Sequence, residues 1–279
     1  MIVNADDFGY FDEVSRGILH CAEAGVVTAT GVMANGPAFE KWVGRLRALP
    51  AVSVGVHLNA TLGRPLTAEM RAELPSPRKE FPSKGALAAM LLRGRVAVST
   101  VIHEWRAQIE HCARAGLKLR FLNSHEHIHV FPSLFRAVLG LANEFGISHV
   151  RSPRPEWGPS WSAAGVFRSA VFAAVRPMAP RQRLPIPALI GLSNSGRLDM
   201  RYFRWRFAKL QRHRTYELMC HPGWKDVAAL QTPKLAAYHD WELELRTLTS
   251  PEFAELLRTS DIALVSYSEP SLNVASGSR

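Results

Sequence analysis

A chain of 279 residues with 47% hydrophobic side chains is long enough to bury one large α/β core, and its composition excludes disorder, collagen and a small disulfide scaffold. Cys21, Cys112 and Cys220 are odd in number, far apart and free of any CxxC pair. That pattern excludes a paired disulfide framework and a thiolate zinc site, and it fits a reducing, cytoplasmic setting. The net charge of +10 raises an acidic partner, whether nucleic acid, anionic lipid or a charged substrate; of these, nucleic acid is not expected.

Met1 to Ala5 run directly into two aspartates, leaving no room for a basic and then apolar leader. The most apolar later stretches, 163–175 and 184–192, are broken by Arg168, Arg176, Pro185 and Pro187 and fall short of a spanning helix, so a soluble or peripheral protein is expected. Strand Ile2 to Ala5 precedes a helix from Asp12 to Ala24, with Val14, Ile18 and Cys21 on one face, Asp12 as its N-cap and Gly25 as its stop. The rhythm repeats as strand Val27 to Ala34, a helix opened by Pro37, strand Val52 to Leu58, a helix from Ser99 to Ala115 and strand Leu117 to Asn123. Pro132 opens the next helix, Gly146 closes it, and strands follow at Ile147 to Arg151, Ala188 to Leu192, Glu217 to Cys220 and Ile262 to Tyr267.

Such alternation implies a parallel sheet, and seven or eight βα units in one run suit a single-domain α/β fold, an irregular (β/α) TIM-like barrel spanning 1–270. Residues 61–95 and 153–182, rich in Pro, Arg and Ser, read as loop excursions that could roof a site, and the Ser/Gly-rich tail 271–279 reads as disordered. Segment 201–214 interleaves aromatic and basic residues at helical spacing. It predicts either a barrel helix with a solvated basic face or a peripheral membrane contact.

The chemistry gathers at predicted strand ends, where barrels build their sites. Asp6 and Asp7 are adjacent carboxylates at the end of the first strand. Two such charges repel, and the pair makes sense if a cation neutralises one and leaves the other free as a base. His57 ends the third strand and, taken alone, reads as a hydrogen-bonded core residue. His125, His127 and His129 share one side if the backbone stays extended, and any of the three suits a metal ligand. His221, at a Pro-Gly turn after a late strand, reads in isolation as a turn residue. Together, Asp7, His57 and a histidine of the 125–129 run can surround one divalent ion on a common rim, leaving positions open for water and substrate.

At these residues the chain resembles the YdjC/ChbG carbohydrate deacetylase family, which includes chitooligosaccharide deacetylases and hopanoid-biosynthesis-associated relatives. The matching motifs, in order, are Asn4-Ala5-Asp6-Asp7-Phe8-Gly9, Gly55-Val56-His57-Leu58-Asn59, Ser124-His125-Glu126-His127-Ile128-His129 and His221-Pro222-Gly223. The resemblance implies an irregular β/α barrel with one divalent cation, Mg²⁺ or Zn²⁺, held by Asp7, His57 and His125. It also implies Asp6 as general base, His221 as general acid, and removal of an acetyl group from an amino sugar on an oligosaccharide or glycolipid. Many members carry an aspartate where this chain has Asn123, which bears on the support of His125.

Trp157 and Trp161 are the nearest candidates for sugar contacts, the alternative being that they fill core space, and Arg151 is expected either to touch substrate or to pair with Glu156. A homodimer is compatible with the sequence. The rival readings are a metal-dependent phosphoesterase and a non-catalytic carbohydrate or lipid-interface binding protein.

Overall fold

The first strand, Ile2–Phe8 (β1), sets the register for every later unit. It is followed by Asp12–Glu23 (α1), Ala29–Val32 (β2), Phe39–Arg47 (α2), Ser53–Leu58 (β3), Ala68–Glu73 (α3), Lys84–Leu92 (α4) and Val98–Arg114 (α5). The second half comprises Leu119–Ser124 (β4), Pro132–Glu144 (α6), His149–Val150 (β5), Ala163–Val175 (α7), Ala188–Ile190 (β6), Met200–Phe207 (α8), Tyr216–Cys220 (β7), Trp241–Leu248 (α9) and Pro251–Thr259 (α10). This computed structural model describes residues 1–75, 77–151, 155–158, 163–175, 187–225 and 239–268, with the backbone alone at 163, 164, 168 and 175. Trp161, much of the 153–182 excursion and the 271–279 tail lie outside the described residues.

The seven strands form one parallel sheet in the order β5-β4-β3-β2-β1-β7-β6. This is the neighbour order of a closed ring interrupted once, between β5 and β6. Arg151, directly after β5, nonetheless ion-pairs with Glu217 on β7 at 2.5 Å. Five strand spacings of about 4.8 Å would hold those strands about 24 Å apart in a flat sheet, so the sheet curls until its inner face meets itself. The result is barrel-like. Among the described residues, no ladder closes the ring between the short strands β5 and β6.

Strand alternation assigns the two faces. Val3 and Ala5 join the main apolar core under the helices, together with Val54, Val56, Leu58 and Leu122. Ile2, Ala29, Phe121 and Tyr267 form a separate cluster inside the curl. The inner face then turns polar toward the strand ends, with buried Asn4, Asp6, His57, Asn123 and Glu217.

Three expectations change at this level, and one choice between two readings is decided. Segment 262–267 is not a strand. The Val265 N–H donates to the Met1 carbonyl at 2.9 Å, the Met1 amino group donates to Ala263 O, and Tyr267 stacks on Phe121 with ring centroids 4.5 Å apart. Among the described residues, the segment is tied to the entry of β1 by these bonds alone, and its tyrosine fills the floor of the curl. Residues 61–95 are not only loop, because Thr67 caps α3 through Met70 N, and α4 follows. Asp12 is the first helical residue rather than the N-cap, since its carboxylate is taken by Lys41 and Trp42. In the basic aromatic segment, Tyr202, Phe203 and Phe207 on α8 are buried in the core, which commits the aromatic half inward and leaves basic residues such as Arg201 and Arg204 outside.

Gly55 is needed for the curl to close on its own side chains. A Cβ there would sit 2.5 Å from both the ring and the carbonyl of Phe121 on the next strand. Gly55→Ala is therefore expected to cost about 1–3 kcal/mol through overpacking, read from the urea-unfolding midpoint at unchanged m-value.

Candidate active site

Asp6 faces inward by strand alternation, and Asp7 should then face outward. It does not, because the β1–β2 register shifts between Ala5 and Phe8 and Asp7 takes a left-handed conformation with φ 73°. A bulge of this kind re-aims a side chain, so two successive carboxylates enter one cavity. Both are buried.

Each carboxylate is then handled differently. Arg151 Nη1 and Nη2 donate to Asp6 at 2.6 and 3.1 Å, and Asn123 Nδ2 adds a bond of 2.8 Å. Burial raises the Asp6 carboxyl, but the Arg151 charge, the His57 imidazole and the Arg151 hydrogen bonds outweigh it and hold the group below its ordinary value. Arg151 also binds Glu217 through Nε at 2.8 Å, and Asn4 Nδ2 donates to that same glutamate at 2.9 Å. Arg151 therefore serves Asp6 and Glu217 rather than the expected Glu156, which instead accepts from Tyr202 and pairs with Arg206.

Asp7 receives imidazoles. His57 Nε2 lies 3.1 Å and His125 Nδ1 3.0 Å from the same oxygen, Asp7 Oδ1. Burial again raises this carboxyl, and the flanking His125 and His57 rings bring it well below the carboxylate range. The donor atoms of Asp7, His57 and His125 all lie within 4.8 Å of one another. One oxygen and two ring nitrogens at that spacing is a donor set that suits a divalent ion and leaves positions open for water.

The proton on His57 Nδ1 follows from its neighbour. Asn123 Nδ2 is oriented by the acceptor-only Asp6 carboxylate, so its Oδ1, 2.8 Å from His57 Nδ1, accepts the Nδ1–H. That leaves Nε2 facing Asp7, where it donates its proton to the carboxylate or, once deprotonated, can offer its lone pair to a cation. Asn123 thus supports His57 and Asp6, not His125. Gly31 makes room for this contact, since a Cβ there would lie 3.1 Å from both Asn123 Oδ1 and Asp6 Oδ1.

The histidine run does not stay extended. After β4 the chain enters a 3-10 turn, His125–Val130, with Glu126 and His127 both left-handed at φ 50° and 55°. Only His125 reaches Asp7. His129 is a strut, accepting from Ser124 Oγ at 2.5 Å through Nδ1 and donating to the Arg151 carbonyl at 3.0 Å through Nε2. Burial lowers its pKa to about 3, so it stays neutral. His127 packs edge-on against Phe172, and its Nδ1 has no hydrogen-bond partner.

His221 follows β7 and reaches the same cavity, with donor atoms of Asp7, His221 and His239 also within 4.8 Å of one another. Burial lowers the His221 pKa, and the Asp7 and Asp6 charges only partly oppose this. Two supports escaped the sequence reading. His239 stacks on His221 with centroids 4.1 Å apart, and Glu244 accepts the His221 backbone N–H at 2.5 Å. Neither ends a strand, so the rule that found the other residues had no purchase on them.

A family model described as YdjC-like protein matches residues 1–259. The chain belongs to the YdjC-like family. Among its relatives, a carbohydrate deacetylase of Brevibacillus brevis is 30% identical over 277 residues, covering 96% of this chain and 98% of that protein. A carbohydrate deacetylase of Geobacillus stearothermophilus is 30% identical over 274 residues, covering 96% of each, and a chitooligosaccharide deacetylase of Escherichia fergusonii is 33% identical over 149 residues, 53% of this chain and 57% of that one. Among solved structures, one from Enterococcus faecalis, provisionally described as a cellobiose-phosphate cleavage protein, matches with a TM-score of 0.71 at 25% identity over 95% of this chain and 96% of that one. In this YdjC-like chain, the motif residues Asp6, Asp7, His57, His125 and His221 all converge on one cavity, whereas His127 and His129 turn away.

Two outcomes follow from this geometry. Asn123→Ala frees His57 to rotate, and its Zn²⁺ affinity, measured by chelator competition, should fall about 10- to 100-fold. Burial pushes the Glu244 carboxyl up to about 8, partly offset by the N–H groups of His221, Leu198 and Gly196. The folded chain then holds a proton that the unfolded chain releases near pH 4.3, so this group's contribution to stability declines as pH rises from about 4.3 to about 8. Glu244→Gln should flatten that part of the melting-midpoint profile.

Proposed function

We propose that the chain is a metal-dependent carbohydrate N-deacetylase, hydrolysing the acetamide of an amino sugar carried on an oligosaccharide or a glycolipid. The observation that carries this reading is Asp7 Oδ1 faced by His57 Nε2 and His125 Nδ1 at 3.1 and 3.0 Å, with a second carboxylate, Asp6, kept off that set by Arg151. The relatives named carbohydrate deacetylase, which align with nearly the whole chain, support the substrate class.

Asp7, His57 and His125 would hold one divalent cation, Mg²⁺ or Zn²⁺, which supplies Lewis-acid activation of water and of the amide carbonyl when bound. Asp6 is ionised and oriented by two Arg151 bonds and one from Asn123. It takes the proton of the water as the water oxygen adds to the acetamide carbon. His221 gives a proton to the amine nitrogen as the C–N bond breaks, releasing acetate and a free amino sugar. Because burial favours neutral His221 at rest, it must first receive that proton, and the one Asp6 takes from the water balances the step. A general acid is required here since an amide anion is too poor a leaving group to depart unprotonated.

The three cysteines are free and buried, which supports the cytoplasmic setting expected from their spacing. Among the described residues, no helix is long and apolar enough to cross a membrane.

The decisive experiment measures acetate release from N-acetylated sugars and chito-oligomers with metal-stripped protein reloaded with Zn²⁺ or Mg²⁺. Asp6→Asn should keep stoichiometric metal and lose about 10²-fold or more in turnover, whereas His57→Ala should lose the metal itself. An Asp6→Asn enzyme of normal rate would overturn the assignment.

A further inference from the structure

Among the described residues, the exposed large hydrophobic side chains are Leu92, Phe167 and Trp157, at 89%, 68% and 52% exposure. All three belong to segments tied, through contact or chain order, to the turns that follow the site's strands. Leu92 ends α4, whose first residue, Lys84, pairs at 3.6 Å with Glu126, the neighbour of His125. Phe167 lies on α7, whose Phe172 packs against His127. Trp157 follows the β5 end that carries Arg151.

Beyond Lys84, the exposed side chains described on these two helices are apolar, unlike the polar outer face a surface helix ordinarily presents. α4 reads Lys-Gly-Ala-Leu-Ala-Ala-Met-Leu-Leu and buries only Leu87, leaving Gly85, Ala86 and Leu92 exposed. α7 has one charged residue in thirteen, and Ala170, Ala173 and Ala174 are exposed beside Phe167. Charge accompanies the apolar surface. Residues 61–97 hold seven basic and three acidic side chains, and Arg93 and Arg95, immediately after Leu92, are exposed and have no carboxylate partner among the described residues.

We propose that this rim docks on an anionic lipid bilayer, with α4 and α7 resting their apolar faces in the interface and Arg93 and Arg95 against headgroup phosphates. The turns after β4 and β5 then lie on the membrane-facing side. An apolar face bordered by unpaired arginines is complementary to anionic lipid. A symmetric second copy fits it poorly, because a two-fold contact brings the same basic patch against itself. The 201–214 segment cannot play this part by itself, since its Tyr202, Phe203 and Phe207 are in the core.

The test is flotation of the full-length protein with phosphatidylcholine vesicles, with and without phosphatidylglycerol, at low ionic strength, where charge attraction is least screened. Wild type should float with the anionic vesicles and not with the neutral ones. Leu92→Asp with Phe167→Asp should lower binding by about tenfold or more at an unchanged melting midpoint and unchanged Zn²⁺ affinity, because both side chains are outside the core. The proposal is overturned if wild type stays with the unbound fraction, if the double variant floats as well as wild type, or if wild type is a dimer that the double variant splits into monomers. None of these readouts uses deacetylase activity, so failure of docking and failure of the proposed reaction are separately visible.

Discussion

Placing two aspartates side by side in a buried cavity is the electrostatic problem around which this molecule is built. Desolvation alone would push both Asp6 and Asp7 toward the protonated form. The chain solves it with unlike partners, a guanidinium for Asp6 and two imidazoles for Asp7. Since Arg151 is itself buried and also binds Glu217, removing it would strand two carboxylates at once, a cost of about 3–5 kcal/mol for a broken buried pair. The ion cluster therefore joins β1, the end of β5 and β7, and the curl of the sheet cannot relax without breaking it.

The same division prepares the chemistry. A carboxylate shared among histidines is a donor set that suits a cation, while one fixed by a guanidinium keeps its charge and its aim. Asn123 links the halves, donating to Asp6 and accepting from His57, so the orientations of that imidazole and that carboxylate are set by one amide. His129 continues the network outward, tying Ser124 at the end of β4 to the Arg151 carbonyl. A displacement of β4 or β5 would accordingly be felt by both carboxylates.

Three left-handed residues mark where the fold departs from regular alternation to build this site. Asp7 at φ 73° and the consecutive pair Glu126 and His127 are non-glycine residues in a region that costs about 1–3 kcal/mol each. The first lets Asp7 enter the cavity beside Asp6. The second pair turns the chain immediately after His125, keeping that imidazole at Asp7 while carrying His127 and His129 elsewhere. Strain of this kind persists where the surrounding hydrogen bonds over-determine the backbone, as the Ser124 hydroxyl does by accepting the His129 N–H at 3.0 Å.

By itself the sequence determined the strand–helix alternation, the parallel sheet and the candidate motif residues, because apolar periodicity and placement at strand ends are local properties. Asp6, Asp7, His57, His221 and the 125–129 histidine run were legible as candidates for that reason. Only tertiary structure decided that Arg151 serves Asp6 and Glu217, that His239 and Glu244 back His221, and that a single histidine of three reaches the cavity. Those outcomes depend on contacts between residues 145 and 66 positions apart for Arg151 and 23 apart for Glu244, and on backbone dihedrals that no periodicity encodes. The aromatics of α8 illustrate the same limit, since helical spacing places Tyr202, Phe203 and Phe207 relative to one another but not whether that face meets the core or the solvent.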